Sequence, residues 1–427
     1  MQVLYRNQSN ADIAQAQRGV VVKLKYLRHP MRTAKTAKAL FDARLSMWKF
    51  AAHGQRRFKG DARYDLENVT RGFASSIDET SDDTELLERI CAAYSKAVNQ
   101  NRLAPEAYAA TQWWQEVRQR GLGPVTQALL TQDITALRRM YRNFYRDSCS
   151  AGLLGAPYGM TKAYFGGKIK DVHRHFYLSH VLYRLDYWKS QTDGRFQLQD
   201  LAGPGIGNPF GVFIDGTHIS IGSEYAHYCA HRICAHLETE PATVAEIGGG
   251  FGGMAYFLLR DRPRVTYLDF DLPESIALAT YYLSKSFPYL TFLLYGEGEL
   301  TREAIAQTDV VMMPVFELAT VPAGIADVAF SSHAMSDISP EAMVEYLNNI
   351  ERFTRGCFLY LGNYRASQSI SDLVSRKYAS FVLAETRSSG WHSHKISGAG
   401  VGGAAGLAAS TMLEQCYRRA GLLRKVS

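Results

Sequence analysis

Five glycines in six positions, Gly248-Gly-Gly-Phe-Gly-Gly253, sit between the apolar run Val244–Ile247 and the run Met254–Leu259. The first run reads as a short buried strand, the second as helix. A strand, a glycine turn and a helix in that order narrow the choice of fold sharply. Glycine takes left-handed backbone freely and lets another group approach the main chain. The first turn of the helix offers N–H groups that lack intrahelical partners. Such a turn belongs at the carboxyl edge of a parallel sheet, where ligands of α/β proteins sit.

The flanking sequence predicts such a sheet. After Val244–Ile247, strands are expected at Val265–Phe270, Leu290–Tyr295, Val310–Pro314, Asp327–Ser331 and Cys357–Leu361. Helices are expected between them at Ser275–Ser286 and Glu341–Phe353, the latter opened by Ser339 and Pro340. This βαβα order implies an α/β, doubly wound, Rossmann-like domain over 241–427. Residues 1–200 read as a mainly helical N-terminal domain. Thr33–Phe50 carries Ala37, Leu40, Phe41, Leu45 and Trp48 at helical spacing. Asp82 or Asp83 can cap a helix through Leu86 and Tyr94. Pro105 can open one through Tyr108, Trp113 and Val117, and Pro124 another passing Leu129, Leu137, Met140 and Phe144. Val172–Trp188 completes the set. Residues 201–240 form a connection suited to a lid: a turn-rich stretch at 203–209, a hairpin over Gly211–Ile221 around Asp215-Gly216, and a helix over Glu224–Leu237.

Two cofactors compete for the glycine turn. Gly248-x-Gly250-x-x-Gly253 matches the dinucleotide pattern, with Asp271 downstream. The alternative starts from Glu246, an acid that closes the first strand. Glu246-x-Gly248-x-Gly250-x-Gly252 resembles the first motif of Rossmann-like class I methyltransferases, which bind S-adenosylmethionine. Their second motif is an acid at the end of the next strand. Asp269 and Asp271 both qualify by position, and a carboxylate can accept from both ribose hydroxyls. Phe270-Asp271-Leu272-Pro273-Glu274 resembles the Phe-Asp-Leu-Pro segment of small-molecule O-methyltransferases, which favours Asp271. A glycine turn without a cofactor is the plain structural alternative.

Over roughly 130–420 the chain resembles the bacterial sugar O-methyltransferase family. The resemblance is carried by Tyr141-Arg-Asn-Phe-Tyr145, Gly207-Asn-Pro209, the glycine motif, Asp271-Leu-Pro-Glu274, Ser332-His-Ala-Met-Ser-Asp337 and the Trp391 region. It implies methyl transfer from S-adenosylmethionine to a hydroxyl of a sugar or glycosylated small molecule. The cofactor would lie on Glu246, Gly248, Gly250, Gly252, Asp271 and Leu272, with Glu297 after the third strand near adenine or its ribose. The reaction needs alignment of donor and acceptor and a group that takes the hydroxyl proton. Histidine suits that task near neutral pH. His333, directly after a strand, is the first candidate base, and His392 and His394 are alternatives. Asp337 would orient His333 or, preferably, cap the next helix. Asn363 at a strand end, Trp391 ahead of the loop Gly398–Gly406, and Asn208 are the acceptor-side candidates.

His227, Cys229, His231, Cys234 and His236 crowd one helix. A closed zinc site usually draws ligands from a second element, so the cluster reads as packing and no metal is assigned. Apolar residues at 46% and charged residues at 21% exclude a disordered or fibrous chain. Six cysteines without a CxxC, and no apolar leader or convincing span, read as a reduced, cytoplasmic protein. Residues 1–60 hold thirteen Lys/Arg against two Asp, a local charge of +11 in a chain of +7. Such an arm can attract anionic polymers or lipid, although a solvated helical face accounts for it as well. The expected partners are a small-molecule or glycan acceptor and a second copy through the helical domain, with nucleic acid unfavoured. Two rival functions remain: an O-methyltransferase for a phenolic or polyketide-like acceptor, and a non-catalytic scaffold that binds nucleic acid or membrane through the basic arm.

Overall fold

A computed structural model of the protein describes residues 30–154, 169–391 and 412–421. His392, His394, the loop Gly398–Gly406 and the first half of the basic arm lie outside the described residues.

The chain opens with helices: α1 (Pro30–Arg57), α2 (Leu66–Gly72), α3 (Thr84–Asn101), α4 (Gln112–Val117), α5 (Gly123–Thr131), α6 (Ile134–Tyr141) and α7 (Asp171–Gln191). Three expectations change here. On α1, Phe41 and Trp48 are 66% and 64% exposed, so the predicted stripe is not the packed face. The packed side is Phe50 and Ala51, with Phe50 ringed by Phe176 and Tyr183 of α7. The helix expected from Pro105 is interrupted: a 3₁₀ turn at Glu106–Tyr108 precedes α4, whose N-cap Thr111 accepts from Trp114 N. The helix expected from Pro124 is two helices, because Gln132 adopts left-handed backbone and Asp133 caps α6 through Ala136 N. An Asp cap satisfies a helical donor that nothing else reaches.

The hairpin forms as expected, with β1 (Gly211–Ile214) and β2 (Thr217–Ser220) joined by Asp215 and Gly216 at φ 48° and 77°. Positive φ at both central residues is the type I′ geometry. Next come α8 (Ser223–Cys234), β3 (Ala242–Ile247), α9 (Gly253–Asp261), β4 (Val265–Asp271), α10 (Pro273–Ser286), β5 (Phe292–Leu294), α11 (Arg302–Ala306), β6 (Val310–Pro314), β7 (Ala326–Ser332), α12 (Pro340–Phe353), β8 (Thr354–Asn363), α13 (Tyr364–Lys377), β9 (Phe381–Ser389) and β10 (Met412–Arg419).

The eight-stranded sheet has the order β5-β6-β4-β3-β7-β8-β10-β9. Its pairs from β5 to β8 are parallel, while β10 runs antiparallel to both β8 and β9. The sheet is therefore mixed rather than wholly parallel. From β3 the chain lays β4, β5 and β6 on one side, with β6 inserted between β4 and β5, then returns to lay β7 on the other. Ligands of α/β folds bind in the crevice at such a reversal, which here falls at the carboxyl ends of β3 and β7. Apolar side chains cover both faces. One core joins Leu87, Leu129, Tyr141 and Leu182 of the helices to Val244, Tyr267 and Val328 of the sheet, so the helical half shares its core with the sheet.

Candidate functional site

Three carboxyl groups share one face of the sheet near the reversal. Glu246 on β3 is the register partner of Asp269 on β4, and Asp271 lies two residues further on the same side. Glu246 is buried, and Tyr267 Oη donates to its Oε2 at 2.6 Å. Burial pushes its carboxyl up to about 8, with the Tyr267 bond opposing and the Asp271 charge adding. Asp269 is 0% exposed, and burial followed by the charges of Asp271 and Glu246 holds it well above the usual carboxylate range. Its Oδ1 accepts from Gly249 N at 3.2 Å, while Oδ2 has no partner among the described residues. Asp271 sits at the mouth, 9% exposed. Burial pushes it to about 7, against bonds from Leu272 N at 2.6 Å and Gly250 N at 2.9 Å. Of the two acids that qualified by position, Asp269 is sealed beneath the turn and Asp271 faces the crevice.

The glycines have separate reasons. Gly248, Gly250 and Gly252 take φ of 84°, 65° and 87°, the left-handed region that side chains disfavour. A Cβ on Gly248 would stand 2.1 Å from Ala334 Cβ, and one on Gly249 2.5 Å from Asp269 Oδ1. At Gly250 the nearest atom would be Leu153 Cδ2 at 4.0 Å, so open space adjoins the main chain there. Phe251 leaves the turn and packs on Phe144, Tyr145 and Tyr282. The segment after α6 thereby covers the turn. Two polar clamps tie the helical half to α10. Arg118 grips Glu274 through Nε and Nη2, at 2.5 and 2.9 Å. Buried Asp83 accepts from Arg138 Nε at 2.6 Å, Arg142 Nε at 3.3 Å and Tyr281 Oη at 3.1 Å.

Across the crevice, His333 follows β7 with φ of 66°, a strained setting for a non-glycine residue, fixed by His333 N donating to Leu361 O at 2.8 Å. Its Nε2 lies 3.3 Å from Tyr225 Oη, which is 2.7 Å from Ser332 Oγ. Desolvation pulls the imidazole down to about 4, so it is neutral at pH 7. Trp391 is fully buried and packs edge-on to Tyr225 and Tyr187, with the Arg184 guanidinium over its ring. Tyr225 thus links Trp391 to His333.

The other candidates lie apart from this pair. Asn363 caps α13 through Ala366 N and reaches Ser336 O at 3.4 Å, at the rim of the crevice. Asn208 is buried one layer out, its side chain spent on Ser76 N and Asn143 Oδ1, each at 2.8 Å. Glu297 follows β5, and the insertion of β6 beside β4 puts it one strand further from Asp271. There it binds Arg89 through both oxygens, at 2.6 and 2.8 Å. Burial would raise its carboxyl, but Arg89 and Leu294 N hold it below the usual range. The strand end beside Asp271 is instead Pro314 of β6. The cap of α12 is Ser339, through Ala342 N at 3.1 Å, and not Asp337. Arg118 and Tyr225 escaped the sequence reading. A glycine- and proline-rich break at 121–124 marked the π-turn Arg118–Leu122, and nothing local marked Tyr225.

No family model matches the chain, and no curated protein does. Solved structures of methyltransferases resemble it distantly. The mitomycin 7-O-methyltransferase MmcR is 16% identical over 46% of this chain and 55% of its own, at a TM-score of 0.30. The magnesium protoporphyrin IX methyltransferase ChlM of Synechocystis, with bound S-adenosylmethionine, is 12% identical over 60% of this chain and 100% of its own, at 0.33. A geranyl diphosphate methyltransferase in complex with S-adenosylmethionine is 13% identical over 45% and 85%, at 0.32. The chain spans little more than half the length of MmcR and of the pyocyanin biosynthetic protein PhzM. The strand order of the sheet itself fits a class I methyltransferase fold.

The residues present suit a nucleoside cofactor. Open space beside the main chain at Gly250 and the Asp271 carboxyl at the edge of the turn leave room and an acceptor for a nucleoside.

Proposed function

We propose that this chain is an S-adenosylmethionine-dependent O-methyltransferase acting on a hydroxyl of a sugar or glycosylated small molecule. The observation that carries this reading is the convergence of Glu246, the left-handed glycines and Asp271 at the sheet reversal, with His333 across from them. When bound, the cofactor supplies a methyl group on a sulfonium sulfur. Asp271 accepts the ribose hydroxyls, and Gly250 leaves room for the nucleoside against the main chain. Glu246 and Tyr267 hold the floor of the turn. Arg118 on Glu274 and the aromatic nest around Phe251 exclude water.

His333 takes the proton of the acceptor hydroxyl. An imidazole that titrates near 4 is a weak base for a free alcohol. The acceptor oxygen gains positive charge as its new bond to carbon forms, so its proton becomes acidic and a neutral imidazole suffices. Tyr225 orients the ring.

Calorimetric titration with S-adenosylhomocysteine, with NAD(H) as control, tests the cofactor. Saturable binding of the former alone is expected. Binding of NAD(H) instead would return the turn to the dinucleotide reading. A screen of glycosylated against phenolic acceptors then tests the substrate class.

A further inference from the structure

The helix α8 carries the histidines and cysteines noted in the sequence, and the structure divides them. His227 accepts from Trp188 Nε1 at 3.2 Å, and His231 packs edge-on to Phe196. His236, just past the helix, turns toward the sheet instead. There it meets Cys357 of β8 and Cys416 of β10, with ligand atoms of all three within 4.8 Å of one another.

The geometry has the parts of a soft metal site. In the β8–β10 register Arg418 faces Cys357 and Cys416 faces Leu359, so the two thiols are diagonal neighbours on one face. They are 4% and 1% exposed. His236 Nε2 is buried without a hydrogen-bond partner among the described residues. Three separate elements therefore bring one imidazole and two thiols together, and the second element that α8 lacked is this strand pair. Imidazole with thiolates selects zinc over magnesium or calcium, which take oxygen ligands. Two thiolates balance the charge of the dication. The nearby guanidiniums are largely engaged: Arg232 on Glu385 at 3.1 Å and Arg387 on Glu414 at 2.7 Å. Arg418 Nη2 lies 3.3 Å from His236 Nδ1, a contact that ligation reorients.

We propose that His236, Cys357 and Cys416 bind one zinc ion, with solvent in the fourth position. Each thiol releases its proton to solvent as its Zn–S bond forms. The site lies toward the amino end of β8, away from Leu361 and His333 at the carboxyl end. Its role is a clamp that ties the end of α8 to the two strands, independent of the methyl-transfer reading.

The test uses the full, metal-free chain, titrated with cobalt(II) as a spectroscopic probe and then with zinc. A thiolate-to-cobalt charge-transfer band saturating at one equivalent, and its displacement by zinc, is expected. Cys357→Ser and Cys416→Ser should each abolish the band or cut it severely. His236→Gln should weaken binding at least tenfold, and Cys234→Ser should leave it unchanged. X-ray absorption of the zinc-loaded wild type should show two sulfurs at about 2.3 Å, which decides the matter even where a serine variant fails to fold. The site is overturned by a folded wild type that shows no band, by a band that survives the double serine variant, or by a zinc shell without sulfur.

Discussion

His333 and Asp271 can each be tested one atom group at a time. The φ of 66° at His333 lies where a Cβ costs roughly 1–2 kcal/mol. His333→Ala removes the imidazole and keeps the strain; His333→Gly removes both. If the side chain is the base, the two variants should lose turnover equally, by at least about 100-fold, and retain affinity for S-adenosylhomocysteine. His333→Gly should melt no lower than His333→Ala. Normal turnover in either variant would remove His333 from the reaction. At Asp271 the expected loss is in binding. Asp271→Ala gives up hydrogen bonds to a charged carboxylate worth roughly 1.5–3 kcal/mol each, so at least about 10-fold in calorimetric affinity. Affinity unchanged by that substitution would place the ribose elsewhere.

The glycine turn is the element on which the site rests, and Gly249 tests it separately from its left-handed neighbours. Its φ needs no glycine, yet a Cβ would meet Asp269 Oδ1, Oδ2 and Cγ at 2.5 to 2.7 Å. Gly249→Ala should therefore destabilise by about 1–3 kcal/mol and displace the turn from the Asp269 carboxyl. Urea midpoints and S-adenosylhomocysteine affinity should fall together; an unaltered midpoint would mean that the turn is not packed on Asp269. This turn was legible in the sequence because strand, glycines and helix are contiguous and each obeys its own local period. Most strands and helices from Val244 to Leu361 were legible for the same reason. The final strands were not. On β9 the alternation Glu385, Arg387 and Ser389 belongs to an outer strand that buries little, and β10 is fixed by pairing across to β8 rather than by its own pattern. Tyr225, Arg118 and the His236 cluster share that limit: their partners lie far away in sequence, and no spacing rule connects them. Glu297 was drawn toward the cofactor by counting strands, and the insertion of β6 between β5 and β4 is a matter of tertiary order.

At the scale of the whole molecule, the buried carboxyls make stability depend on pH in a direction opposite to ordinary acid unfolding. Glu246 titrates at about 8 and Asp271 at about 7 in the folded chain, against about 4 when unfolded. Between those limits the native state holds more protons than the unfolded one, so stability falls as pH rises. The buried histidines pull the other way at lower pH. His227 and His333 are each drawn down to about 4 by desolvation, so their contribution rises from pH about 4 to about 6.5 and is then complete. The two trends oppose each other below pH 6.5, and the slope from 6.5 to 8 isolates the carboxyls. Urea midpoints of the cofactor-free protein should decline across that upper window. Glu246→Gln, which can still accept from Tyr267, should flatten the decline and raise the midpoint at pH 8, by on the order of a few kcal/mol in unfolding free energy. A midpoint that climbs from 6.5 to 8 in the wild type, or a slope untouched by Glu246→Gln, would show that these groups are ionised in the fold. Asp271 would then already carry, in the cofactor-free protein, the charge with which it accepts from ribose hydroxyls.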